Sequence, residues 1–150
     1  MLRNTLIALT LTLFASSAWA QESLIHVKST VDVPTTVERL AKAAEAKEFT
    51  VVARVDHAAA AARVGMELRP TTVVIFGNPK GGTPLMQCDQ KAGLDLPLKV
   101  LVWENDAGET HLTYDQPRLL GQRHDMGNCA RNLEGVGNVL QKLVGEAAGQ

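Results

Sequence analysis

The 150 residues carry 15 Lys+Arg against 16 Asp+Glu, a formal net charge of −1, with 45% hydrophobic and 4% aromatic residues. Both signs of charge are interspersed, so the basic stripe that nucleic acid requires is missing, and so few aromatics make no base-stacking platform. There is no repeat, low-complexity tract or linker, and the length fits one domain of roughly 100 to 200 residues.

The chain opens on what reads as an export signal. Arg3 and the amino terminus give a positive start. Leu6 to Phe14 is an uncharged, mostly apolar run, and Ala18-Trp19-Ala20 sets small residues where a signal peptidase inspects. A transmembrane anchor would need about 20 apolar residues, and this run stops at Ser16-Ser17. Cleavage is expected between Ala20 and Gln21, delivering residues 21–150 to the periplasm or the exterior. Gln21, not Cys, follows that point, so no lipid anchor is expected, and no later stretch is long enough to span a membrane.

Ser23 to Thr30 reads as a strand, with Ile25 and Val27 on one face and His26 and Lys28 on the other. Asp32-Val33-Pro34-Thr35 starts a helix whose apolar stripe is Val37, Leu40, Ala41 and Ala44. Phe49 to Val55 is a second strand. Asp56 then caps a short alanine-rich helix, His57 to Val64, stopped by Gly65. Thr71 to Phe76 is apolar on both faces, which predicts a central strand. Gly77-Asn78-Pro79-Lys80-Gly81-Gly82 reads as a turn, with Thr83 capping the next helix and Pro84 at its first position. Leu98 to Glu104 is a core strand, and the turn Asn105 to Gly108 makes Glu109 to Tyr114 its hairpin partner. Pro117 to Arg123 forms a short helix. Cys129 to Ala147 forms a long one, with Leu133, Val136, Leu140 and Leu143 on its buried face. The order β-α-β-α-β-α-β-β-α predicts an α+β fold, a two-layer sandwich of a mixed β-sheet with helices.

The mature chain keeps two cysteines, Cys88 and Cys129. In an oxidising compartment they can pair, and closing so long a loop is worth roughly 3–5 kcal/mol in the chain-entropy model. Two buried small hydrophobes are the alternative. Neither cysteine has a Cys-x-x-Cys partner, which argues against a reactive thiol.

Few catalytic signatures survive inspection. The only mature serines are Ser23 and Ser29, and no Gly-x-Ser-x-Gly elbow exists. The glycine-rich turn lacks the Gly-Lys-Thr or Gly-Lys-Ser of a Walker loop. Its candidate role is to hold an anion, through Lys80 and the amides opening the Thr83 helix. No His-Glu-x-x-His or paired Cys-x-x-Cys marks a metal, and no Cys-x-x-Cys-His marks covalent haem. Of four histidines, His26 and His111 read as solvated strand residues and His124 as part of a surface loop. His57 differs. At the first turn of a helix the macrodipole disfavours an imidazolium, while Asp56 can orient the ring or stabilise its charge. A neutral imidazole with a free nitrogen suits a metal, a haem iron or a proton transfer.

Five motifs occur in order: Arg54-Val55-Asp56-His57-Ala58-Ala59-Ala60, Leu68-Arg69-Pro70-Thr71-Thr72, Phe76 through Met86 with its Gly-Asn-Pro and Gly-Thr-Pro steps, Leu94-Asp95-Leu96-Pro97-Leu98, and Tyr114-Asp115-Gln116-Pro117. Together they resemble the domain-of-unknown-function family 302, over nearly all the mature chain. The resemblance implies a small sandwich of helices on a β-sheet, often a homodimer. The family's Asp-His pair falls on Asp56 and His57, its turn on Gly77, Asn78 and Pro79, and its helix start on Gly82, Thr83 and Pro84. The two cysteines fall outside that pattern.

These observations frame three functions. The first is an exported, dimeric module holding a small ligand or cofactor at His57 and the Gly77–Pro84 turn, with haem b the cofactor to test first. The second is an enzyme using His57 as acid–base on a small anionic substrate. The third is a structural or partner-binding domain, which predicts an exposed apolar patch.

Overall fold

The computed structural model describes residues 23–150; the expected leader and its Ala20–Gln21 cleavage point lie outside them. The strands are β1 (Leu24–Lys28), β2 (Thr50–Asp56), β3 (Thr71–Gly77), β4 (Leu98–Glu104) and β5 (Thr110–Asp115). The helices are α1 (Val33–Ala46), α2 (His57–Arg63), α3 (Pro79–Cys88), α4 (Leu120–Arg123) and α5 (Ala130–Ala148), and 3₁₀ turns occupy Gln90–Leu94, Pro117–Leu119 and Gly127–Cys129. The fold is α+β, with the expected order of strands and major helices.

Local chemistry accounts for the element starts. The Asp32 side chain accepts from Thr35 N at 2.9 Å, and Pro34 lies in the first turn of α1. Asp56 caps α2 in the same way, accepting from Ala59 N at 2.8 Å. Four strands were expected to within one residue or nearly so. The first is shorter than expected: Ser29 N still donates to Thr110 O of β5 at 2.8 Å, and the chain turns away from the sheet at Thr30. Ser29 Oγ bonds Thr36 Oγ1 at 2.7 Å, and Thr30 N reaches Ala148 O at 3.0 Å.

The sheet runs β1-β5-β4-β3-β2, and every neighbouring pair is antiparallel. A mixed sheet was expected because helices separate the early strands. In fact α1 carries the chain from one edge of the sheet to the other, so β1 and β2 point the same way without pairing. The α2 and α3 connections each return the chain to the neighbouring strand in the opposite direction.

Alternation along the strands sorts the side chains onto two faces. Ile25, Val27, Val74, Phe76, Val100, Val102, Leu112 and Tyr114 face α1 and α5, where they meet Val37, Leu40, Ala44, Leu140, Leu143 and Val144. Each fully buried Leu or Phe here contributes roughly 1.5–3 kcal/mol by leaving water. The opposite face carries Val73, Ile75, Leu101 and Trp103, only partly buried. A second, smaller core joins Leu85, Ala92, Leu120, Met126, Cys129 and Leu133, and it seats α3 and α4 against the start of α5.

Candidate functional site

The residues singled out from sequence fall in two separate places. Asp56 opposes Thr72 at the start of β3, whereas Thr50 opposes Gly77 at its end. Five residue steps at roughly 3.4 Å each put the two ends about 17 Å apart. His57 therefore stands at one end of the sheet and the Gly77–Pro84 segment at the other.

The His57 side chain is exposed and makes no hydrogen bond or ion pair among the described residues. The Asp56 carboxylate is occupied by the α2 cap rather than by the imidazole ring. A haem needs a ring-sized apolar slot, and His57 lines neither of two concavities among the described residues, one lined by Asp95 and Leu140 and the other by Ile25 and Leu133. No group of three or more His, Cys, Asp or Glu side chains among the described residues is placed to hold a metal ion.

The helix start is also displaced from expectation. α3 begins at Pro79 with Asn78 as its cap, and Thr83 is an exposed residue in mid-helix. Asn78-Pro79 carries the same cap-then-proline pattern as Thr83-Pro84, one turn earlier, and the earlier signal wins. Asn78 Oδ1 accepts from Lys80 N at 2.9 Å, and its Nδ2 donates to Glu48 O at 2.9 Å. Lys80 Nζ pairs with Glu48 Oε2 at 3.2 Å. A Cβ on Gly77 would come within 3.0 Å of Pro97 Cβ, so glycine lets β3 pass this corner. Gly77, Asn78, Pro79 and Lys80 thus have structural work, with Gly82 half-buried beside Leu96.

Cys88 and Cys129 form a disulfide with Cα atoms 6.4 Å apart. It ties the end of α3 to the start of α5. Cys88 is exposed and Cys129 is nearly buried, so the alternative of two buried hydrophobes describes only half the pair.

Beside the disulfide lies a polar cluster that sequence reasoning missed. His124, expected in a surface loop, has a side chain only 7% exposed. Its Nε2 donates to Asp95 Oδ2 at 2.6 Å, and Nδ1 lies 3.8 Å from Asp89 Oδ2. Arg123 Nη1 reaches Asp95 Oδ1 at 2.7 Å. Asp95 is held below the ordinary carboxylate value, first by the His124 hydrogen bond and further by Arg123, against the opposing effect of burial. Asp89 is lowered chiefly by the Lys91 backbone N–H. The disulfide was the available signal, because pairing 88 with 129 brings Asp89 and His124 into one neighbourhood.

His26 and His111, expected as solvated strand residues, join a network on the open face of the sheet. His26 Nδ1 is 2.9 Å from Thr113 Oγ1, to which Trp103 Nε1 also donates at 2.8 Å. The Trp103 and His111 rings lie 5.5 Å apart, centroid to centroid.

A concave surface of about 520 Å³ opens elsewhere, between the β1–β5 end of the sheet, the Pro117–Arg123 segment and the first half of α5. Ile25, Tyr114, Pro117 and Leu133 give it apolar walls, and Arg118 and Glu134 are its charged residues. The Tyr114 hydroxyl is buried without a hydrogen-bond partner among the described residues, and burial pushes its pKa up. Tyr114, Gln116 and Pro117 belong to the last of the five sequence motifs, a run whose role no spacing rule disclosed.

Comparison with known proteins settles the family. The model named "Domain of unknown function DUF302" matches residues 25–145. The chain belongs to the DUF302 family. Among solved structures, the fold of a DUF302 protein from Bacillus stearothermophilus superposes with a TM-score of 0.77 at 16% identity, covering 85% of this chain and 99% of that one. Among curated proteins, the "Fluoride-specific ion channel FluC 1" of Brucella suis is 45% identical over 128 residues, covering 82% of this chain and 50% of that protein. The "Fluoride-specific ion channel FluC 1" of Brucella abortus matches at 45% identity, with 47% of its length covered. This DUF302 chain therefore spans about half the length of the curated relatives it matches.

Proposed function

We propose that this DUF302 chain is an exported, homodimeric module that binds a small ligand without transforming it. The observation that carries this reading is the groove of about 520 Å³ beside Tyr114, within the usual range for small-molecule sites, roughly 300–1,000 Å³. The reactive side chains support it from the other direction. His57 stands alone in solvent, Asp56 caps a helix, and His124 is hydrogen-bonded to a carboxylate. That leaves a nucleophile–base pair unassembled among the described residues, where acid–base catalysis needs two positioned groups.

The relatives fit a module of this kind. An ion channel crosses its membrane on apolar helices or a closed barrel. No helix among the described residues is long and apolar enough to do so, and the five-stranded sheet is open, with β1 and β2 at its edges. We therefore place the channel named in those relatives in the half that this chain does not match. The matched half then serves as an attachable domain. Export is supported by the Cys88–Cys129 disulfide, which persists in oxidising compartments.

The test is native mass spectrometry, with an absorption spectrum, on protein recovered from the periplasm of a bacterial host expressing the full chain. The expected species is the disulfide-bonded chain starting at Gln21, as a dimer, carrying a non-covalent small-molecule increment. A haem would show as a Soret band. Full-length chain confined to the cytoplasm would remove export. A protein that carries no increment, and that no small molecule stabilises against heat, would remove the binding reading.

A further inference from the structure

The groove lies beside an open edge of the sheet, and the class of ligand named below rests on the ligand-binding reading above. β1 is an edge strand, so one side of its backbone pairs with β5 and the other faces away. The two ends of the ladder show which groups face away. Ser29 N donates to Thr110 O at 2.8 Å, and Gln116 N donates to Ser23 O at 3.0 Å. Both pairs continue the β1–β5 register by one residue. Hydrogen-bonded and non-bonded pairs alternate along an antiparallel ladder. Ile25 and Val27 therefore turn their N–H and C=O groups toward β5, and Leu24, His26 and Lys28 turn theirs outward. Gln150 Nε2 bears this out by reaching the Lys28 carbonyl at 3.3 Å. The outward N–H and C=O of Leu24 and His26 have no partner among the described residues. The other edge is less regular, because the register of β2 shifts between Val51 and Ala53.

The groove supplies a second, independent feature. Ile25 forms part of its wall, with Leu133 and Glu134 of α5. Cross-strand neighbours share a face of the sheet. A strand bonded to Leu24 and His26 would set its middle residue opposite Ile25, with that side chain on the helix-bearing face where the groove lies. Its two flanking side chains would lie beside Leu24 and His26 on the open face. Arg118 also lines the groove, and neither it nor Glu134 has an ion pair among the described residues. One unpaired charge of each sign suits a ligand that carries both, as a peptide does in its termini or side chains.

We propose that the β1 edge and this groove together bind a short peptide in extended conformation, by strand addition. The peptide exchanges hydrogen bonds with the backbone of Leu24 and His26 and sets one apolar side chain beside Ile25. The backbone bonds give affinity, and the groove selects the middle residue.

The probe is a displayed library of random heptapeptides, panned against the disulfide-bonded protein. The counter-selection uses Leu24→Pro combined with His26→Pro. Each proline deletes an outward N–H and leaves the ladder to β5 its bonds, the setting in which an edge strand accepts proline. Enriched peptides should share one apolar position, and a synthetic copy of the most enriched should bind one per chain. On saturation the Leu24 and His26 amides should exchange with solvent at least about tenfold more slowly. Those of Ile25 and Val27, already bonded to β5, should change little. His26→Pro should weaken binding about three- to tenfold, the effect of one hydrogen bond, and His26→Ala, which keeps that N–H, should lose less. Protected Ile25 and Val27 amides in the unliganded proline variants would show β1 still paired. Should the prolines detach β1, the wild-type exchange pattern still decides.

No enrichment over the double variant would overturn this proposal. A small molecule that nonetheless stabilises the protein against heat would leave the ligand-binding reading standing, and the lack of one would remove both. Peptide binding that slows neither the Leu24 nor the His26 amide would overturn strand addition. Slow exchange of both amides in the unliganded protein would mean an edge already filled and would overturn the proposal too. Release on dilution would then identify a second copy, and slow exchange at every concentration another segment of the same chain.

Discussion

His124 shows how a single residue can read as surface in the sequence and act as a tie in the fold. It joins Asp95, on the stretch before β4, to the segment leading into α5, and its second nitrogen faces Asp89. Asp95's lowered carboxyl makes this tie pH-dependent. A carboxyl whose native pKa is depressed binds its proton more weakly folded than unfolded. Its stabilisation is therefore complete above the unfolded value, about pH 4, and is lost as pH falls through the folded value. Asp95→Asn should cost roughly 2 kcal/mol near pH 7, the loss of a hydrogen bond to a charged group, and it should flatten the acid limb. Urea midpoints measured from about pH 2 to pH 7 would show the two curves converging in acid. Parallel curves would mean that Asp95 contributes nothing through its charge. Nothing local announces this contact, because Asp95 and His124 are 29 residues apart in sequence. Tyr114 was equally hidden. Its place on a strand was legible, but a missing hydrogen-bond partner is a property of packing alone.

At the scale of elements, most of the fold was legible because each element start carries its own chemistry. Asp32 with Pro34, and Asp56 before the alanines, are caps that need no tertiary help. Errors arose where two signals competed or where pairing is non-local. Asn78-Pro79 and Thr83-Pro84 both read as helix starts, and only the Asn78 bonds to Glu48 and Lys80 decide between them. Strand direction depends on which edge a crossover reaches, and alternation along a strand is silent about that. The disulfide is the strongest tie between elements, joining α3 to α5 across 41 residues. In the chain-entropy model a loop of that length is worth about 4 kcal/mol. Cys88→Ser with Cys129→Ser should lower the guanidinium unfolding free energy by about that amount, as should reduction of wild type. A loss under about 1 kcal/mol would mean that the smaller core around Leu85, Met126 and Leu133 holds this corner by packing alone.

At the scale of the molecule, five large apolar side chains close together in sequence stand in solvent among the described residues. Val52, Val55, Val64, Met66 and Leu68 are 38–72% exposed, and all belong to β2, the end of α2 or the loop that follows. Grouped exposed hydrophobics on a small domain mark an interface. β2 is also an edge strand, which invites pairing with another chain. Its ladder is interrupted between Val51 and Ala53, and such an irregularity blunts strand-to-strand addition. A homodimer formed at this region would join through side-chain packing rather than through a continuous sheet. Val64→Glu combined with Met66→Glu tests it. Both side chains are exposed in the single chain, so the variant should fold with an unchanged far-ultraviolet circular dichroism spectrum. Two carboxylates buried in an apolar contact should raise the dimer dissociation constant on the order of 100-fold, equivalent to roughly 2.7 kcal/mol. Light scattering coupled to size exclusion would then read a monomer at concentrations where wild type reads a dimer. A wild type that is monomeric at tens of micromolar, or a variant that dimerises as tightly as wild type, would place the contact elsewhere or remove it.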